Sequence, residues 1–155
     1  MRTVLAAALL AMPMVAEGQA MHHATGTFEV TMTPEAQGPA LEGGLPTARV
    51  GLAKTFSGPM TGRASGTMLS AGTPGPGKVA VYVAVDQFIG SVDGHKGGFL
   101  LLHRGTMSSA GAKLSVEIAP DSGTGELAGI AGTLAIDASG GVHRYDLAYT
   151  LPAAK

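Results

Sequence analysis

Asp86 and His103 are the pair in this sequence best suited to chemistry. A carboxylate beside an imidazole can pass a proton, because each group shifts the other's affinity for it. The two become neighbours if segments 78–91 and 96–107 form a hairpin. Asp93-Gly94 between them favours a two-residue turn, since both positions tolerate positive φ. Phe88 then faces Phe99, Ala84 faces His103 and Tyr82 faces Gly105. An aromatic ring over a cross-strand glycine is a recurrent sheet device and agrees with this register. Asp86 and His103 fall diagonally on one face, within reach of long side chains. The same placement suits a structural pair, because buried polar groups must be partnered whether or not they catalyse.

One face of this hairpin carries Tyr82, Ala84, Asp86, Phe88, Phe99, Leu101, His103 and Gly105. The other carries Val81, Val83, Val85, Gln87, Leu100, Leu102, Arg104 and Thr106. The aromatic face is assigned to the interior. The outer face is then too apolar for an ordinary monomer, which points to a homo-oligomer contact. Tyr145 and Tyr149 either add hydroxyls to the interior site beside Tyr82 or pack as core with a polar tip at the rim. The candidate ligand-binding set is therefore Tyr82, Asp86, Phe88, Phe99, Leu101, His103, Tyr145 and Tyr149. Asp86 and His103 are the weak catalytic candidates within it.

Other chemistries find little support. His22 and His23 are adjacent, His95 sits at a turn, and no two histidines have the spacing of a dedicated zinc site. The absence of cysteine removes disulfides, thiolate ligands and cysteine nucleophiles. Gly-x-Ser-x-Gly does not occur. Gly123-Thr124-Gly125-Glu126-Leu127-Ala128-Gly129 faintly suggests a phosphate cradle, but a short strand rather than a crossover helix follows it. Pro120, Asp121 and Ser122 are turn formers, with the Asp121 side chain expected to cap loop amides. Leu127 and Ile130 are expected to tuck the loop against a barrel end. No motif calls for a metal or a cofactor.

The elements that must hold these residues are strands. From residue 24 on, apolar residues recur at every second position between Gly and Pro punctuation, and no window keeps a helical period. Phe28, Val30 and Met32 alternate with polar neighbours, as do Leu114, Val116 and Ile118. His143, Tyr145, Leu147, Tyr149 and Leu151 do the same. Further strands are expected at 49–56, 62–71, 78–91, 96–107 and 130–137, for eight in all. Loops fall at 34–48, 72–77, 93–95, 108–112, 120–129 and 138–141. The longest, 34–48, is Pro- and Gly-rich and expected to move. Gly-Thr before a bulky apolar residue recurs at Gly26, Gly66, Gly105 and Gly132. Glycine within strands permits the sharp coiling that closes a sheet. The fold class is all-β, an eight-stranded antiparallel barrel, with a two-sheet sandwich as the competitor.

Composition fits. The chain has 155 residues, 45% of them hydrophobic and 14% charged, so it can bury a core. A net charge of −1 without a basic stripe argues against nucleic acid. Residues 1–20 read as a signal peptide: Arg2, an apolar run from Val4 to Val15 broken by Pro13, then Gly18 and Ala20 as the small residues of a cleavage site. That run is shorter than the roughly 20 apolar residues a membrane-spanning helix needs. The mature domain would be 21–155, periplasmic or secreted. If Met21 is the true start, the protein is cytoplasmic.

Pro120-Asp121-Ser122-Gly123-Thr124-Gly125-Glu126-Leu127, followed by Gly129-Ile130 and Gly132-Thr133, closely resembles the signature of a bacterial family of unknown function, numbered 3224. Ala24-Thr25-Gly26-Thr27-Phe28-Glu29-Val30 is similar to its opening. So are Met68-Leu69-Ser70-Ala71-Gly72, Tyr82-Val83-Ala84, His103 with Gly105-Thr106-Met107, and Tyr145-Asp146 with Tyr149-Thr150-Leu151. The likeness spans 24–152. It implies a barrel like those of allene oxide cyclase and the dirigent proteins, with Glu often standing where this chain has Asp86.

Three functions follow as expectations. The barrel binds a small, mostly apolar ligand. Alternatively it is an isomerase or cyclase acting on such a molecule, a reading that rests on fold analogy. The third is a packed barrel with a structural or oligomeric role.

Overall fold

The computed structural model describes residues 19–38 and 41–153. The leader read at 1–20 therefore lies almost wholly outside the described residues. Among the described residues nine strands form: β1 (His22–Gln37), β2 (Thr47–Ser57), β3 (Met60–Gly72), β4 (Ala80–Val92), β5 (His95–Ser108), β6 (Gly111–Ile118), β7 (Thr124–Gly125), β8 (Ala131–Asp137) and β9 (His143–Thr150). All pairings are antiparallel. The order β4-β3-β2-β1-β9-β8-β6-β5 closes through a β4–β5 pairing, which gives an eight-stranded barrel with the short β7 attached to β5.

The β4–β5 hairpin has the expected register: Phe88 faces Phe99, Ala84 faces His103 and Tyr82 faces Gly105. Asp93 and Gly94 make its turn at φ 48° and 86°, the positive values that a type I′ turn needs and that match the twist of the strands. Ala84, Asp86, Phe88, Phe99, Leu101 and His103 are buried. Leu69, Val81, Val83, Val85, Ile89 and Leu100 are exposed on the outer face. A groove of about 750 Å³ runs beside Leu69, Val81 and Val83 there.

The reading of 34–48 as a loop needs correction. β1 runs on to Gln37 and β2 begins at Thr47, with a bulge between Pro34 and Ala36. Proline usually stops a strand because it cannot donate to a ladder. Here β1 pairs with β9 only over His22–Phe28, so beyond that point one edge of β1 is free and Pro34 breaks no bond there.

The two ends of the barrel differ. The chain's four phenylalanines form a row across the interior. Phe28 lies 5.1 Å from Phe56, Phe56 lies 5.7 Å from Phe88 edge-on, and Phe88 lies 4.9 Å from Phe99, between ring centroids. On one side of this row the barrel is filled by Met60, Val92, Leu127, Ile130, Leu147 and Tyr149, all buried. Leu127 and Ile130 come from the 120–129 loop, which plugs that end as expected.

The loop also completes the sheet. β6 covers β5 only from Leu101 to Ser108. Along the remainder, the loop's side chains accept from alternate β5 amides. Leu100 N donates to Ser122 Oγ (3.1 Å), Gly98 N to Thr124 Oγ1 (3.0 Å) and Lys96 N to Glu126 Oε2 (2.6 Å). Asp121 is expected to cap amides of the loop; the loop side chains that accept backbone amides are instead those of Ser122, Thr124 and Glu126, and the amides belong to β5. Asp121 instead takes the turn itself, at φ 61°, a conformation Asp tolerates.

Candidate functional site

On the other side of the phenylalanine row the interior is hollow. A cavity of about 450 Å³ opens at the end where β3 meets β4 and β5 meets β6. Its walls include Val30, Met32, Leu52, Met68, Leu114 and Ile136, and His143 lies against the Phe28 ring, 5.0 Å between centroids. Strand alternation explains the set, because these positions share the inward parity of the buried Phe28, Ala64, Val116 and Leu134.

Three polar side chains meet at the base. Asp86, Lys54 and His103 are the buried polar or charged residues among those described. Lys54 and His103 border the cavity, and Asp86 is fully buried behind them. Lys54 Nζ donates to Asp86 Oδ2 at 2.5 Å. His103 Nε2 lies 3.0 Å from the same oxygen, near enough for electrostatic contact. It is off the line of a hydrogen bond and leaves Nε2 without a hydrogen-bond partner, and Asp86 Oδ1 lacks one as well. The Lys54 ammonium also sits 5.8 Å from the Phe28 ring centroid, a cation–π distance. Burial works to raise the Asp86 carboxyl. The adjacent His103 imidazole and Lys54 ammonium outweigh it and hold the group below the ordinary carboxylate value. Burial likewise pushes the Tyr82 phenol up, helped by the Asp86 charge.

The sequence-derived set divides between the two halves of the barrel. Tyr82 and His103 line the cavity and Asp86 lies at its base. Phe88, Phe99 and Leu101 are buried core. Tyr145 and Tyr149 serve the packed end. Met60 N donates to Tyr145 Oη at 3.0 Å, and Tyr149 Oη donates to Asp93 Oδ2 at 2.5 Å. His22 stacks on Tyr149 and His23 pairs with Asp146 at 2.9 Å, away from the cavity. Among the described residues no three His, Cys, Asp or Glu side chains gather as metal ligands would.

Lys54 escaped the sequence reading. The signal was present: Leu52, Lys54 and Phe56 share one face of β2, so a strand that buries Leu52 and Phe56 must also turn Lys54 inward. A lysine on that face needs a carboxylate partner, and the other strands offer Asp86.

Fold and site together define a closed eight-stranded antiparallel barrel with a charged cluster at the base of an apolar cavity. Residues 24–149 match the family described as protein of unknown function (DUF3224), and the chain belongs to it. A similar solved structure is that of a protein of unknown function from this family, from Shewanella oneidensis MR-1. It is 40% identical with a TM-score of 0.79, over 86% of this chain and 99% of that one. No curated protein matches.

Proposed function

We propose that the barrel binds a small, mostly apolar molecule in the cavity at its open end. The observation that carries this is the cavity of about 450 Å³, mostly apolar along its walls and charged at its base. Small-molecule sites have this make-up: apolar walls give affinity, and a few placed polar groups set orientation. Lys54 and His103 take the second role. Likeness to the allene oxide cyclase and dirigent barrels belongs to this proposal as architecture alone.

The test is titration with Nile red, an apolar dye that brightens out of water, together with native mass spectrometry of gently purified protein. One dye per barrel is expected. Ala84→Phe, which fills the cavity from a buried inward position, should abolish binding while the far-ultraviolet spectrum stays that of strands. Dye binding that is absent, or indifferent to Ala84→Phe, overturns the proposal.

A second reading, an isomerase or cyclase on an apolar substrate, is favoured by one observation. Asp86 is held as a carboxylate beside an imidazole at the cavity base, the arrangement of a proton-transfer pair. Asp86→Asn separates the two readings: ligand uptake survives in a binding protein, whereas turnover collapses in an enzyme. Two further proposals stand beside these. Export through the 1–20 leader predicts a mature N-terminus at Met21 in periplasmic material. Self-association through the exposed Leu69, Val81, Val83, Val85 and Ile89 face predicts a sedimenting species larger than the monomer.

A further inference from the structure

We infer that Lys54 is a carbonyl-capturing amine, which condenses with an apolar aldehyde in the cavity to form an imine. The inference rests on the cavity proposed above as a binding site and adds the chemical class of its occupant.

The surroundings of Lys54 carry the argument. Its strand turns it inward between Leu52 and Phe56, and it borders the cavity with little exposure to solvent. Desolvated lysines in apolar pockets are where proteins recruit this side chain as a nucleophile. A proton relay is in place, since Asp86 Oδ2 lies 2.5 Å from Nζ. The base stands behind it, since His103 Nε2 lies 3.0 Å from that oxygen. Asp86 Oδ1 and His103 Nε2 have no hydrogen bond, so the cluster has unused capacity to take up and return protons. Packing gives no reason for a charged pair here, because apolar residues of similar volume are commonly as stabilising as a buried ion pair.

The chemistry balances within the cluster. The Lys54 ammonium gives a proton to the His103 imidazole by way of Asp86 Oδ2, and neutral Nζ attacks the carbonyl carbon. A C–N bond forms while the C=O π electrons move to oxygen, which collects that proton. The nitrogen then releases a second proton through Asp86 to the new hydroxyl, which leaves as water. Ammonium plus aldehyde has become protonated imine plus water, and the Asp86 carboxylate remains as counter-ion to the imine.

The test uses the folded chain and decanal at equal concentration, with sodium cyanoborohydride to fix any imine as a secondary amine. Intact mass and peptide mapping then locate the decyl group. One group per barrel is expected, mostly on Lys54 rather than on Lys78, Lys96 or Lys113, with loss of that label when excess decanol competes. Lys54→Arg keeps a cation beside Asp86 and should lose the specific label. Label spread over Lys78, Lys96 and Lys113 with Lys54 untouched, while Nile red still binds, overturns the imine and leaves the apolar site standing. Failure of Nile red as well removes the site, and the inference with it.

Discussion

Gly66 on β3 stands opposite Asp86 on β4, and the carboxylate occupies the space a side chain at Gly66 would take. A tyrosine likewise stands opposite each of the other glycines of the recurrent Gly-Thr pattern. Gly105 lies under the Tyr82 ring, Gly26 under Tyr145, and Gly132 against Tyr149, each its cross-strand partner. The chain's three tyrosines and its buried aspartate are thus each paired across the sheet with a glycine of this pattern.

Gly66→Ala tests the seat under the site. A β-carbon there would lie 2.2 Å from Asp86 Oδ1 and 2.3 Å from the Val85 carbonyl oxygen. Strand backbone cannot yield cheaply, so a loss of about 1–3 kcal/mol is expected, as for overpacked cores. Urea unfolding measures it.

Removing one member of the ion pair should cost more than removing both. Lys54→Met leaves the Asp86 charge in the interior, with an expected loss of about 3–5 kcal/mol. Lys54→Met with Asp86→Asn leaves no charge and should recover most of that. Equal losses in the single and double variants would mean that the pair is not coupled.

Asp86 should also shape the response to acid. Its carboxyl is held below the ordinary 3.8 by His103 and Lys54, against the opposing effect of burial. The unfolded chain therefore binds this proton more readily than the folded one. The stabilisation is complete above about pH 4 and is lost as pH falls through the lower folded value. Melting temperature against pH should fall less steeply in that window for the Lys54→Met/Asp86→Asn variant than for the wild type.

The two tyrosines of the packed end should differ. Tyr145 Oη accepts from buried Met60 N and lies 3.1 Å from the Ser57 and Met60 carbonyl oxygens. Tyr145→Phe strands these groups, at an expected cost of about 1–3 kcal/mol. Tyr149→Phe leaves Asp93, which is exposed and free to hydrate, so about 1 kcal/mol is expected. Burial, then the hydrogen bond to Asp93, pushes the Tyr149 phenol up to about 12. A raised folded value means full stabilisation below pH 10, lost as pH climbs toward 12. Phenolate absorbance should show this late ionisation in wild type and lose one tyrosine's share of it in Tyr149→Phe, where Tyr82 and Tyr145 still ionise late.

Local chemistry made much of this legible. Asp93-Gly94 permits a turn that sets the whole β4–β5 register, and a period of two then decides which side chains go inside. Lys54 was missed because its partner lies on a strand with no sequence-local tie to β2, and pairing across a barrel is a long-range fact. The length of β1 was missed because Pro34 breaks a strand only where its amide is needed, and need depends on which neighbour is absent. The split between a filled and a hollow end was invisible, since strand alternation says inward or outward but not how far along the barrel axis.

The 120–129 loop has a meaning beyond its place in the fold. A strand with bare amides and carbonyls is a template that any other extended chain can join. By meeting the Lys96, Gly98 and Leu100 amides with its own side chains, the loop denies that template to strangers. The loop is on this view a guard against aggregation, and its loss would be felt first as insolubility.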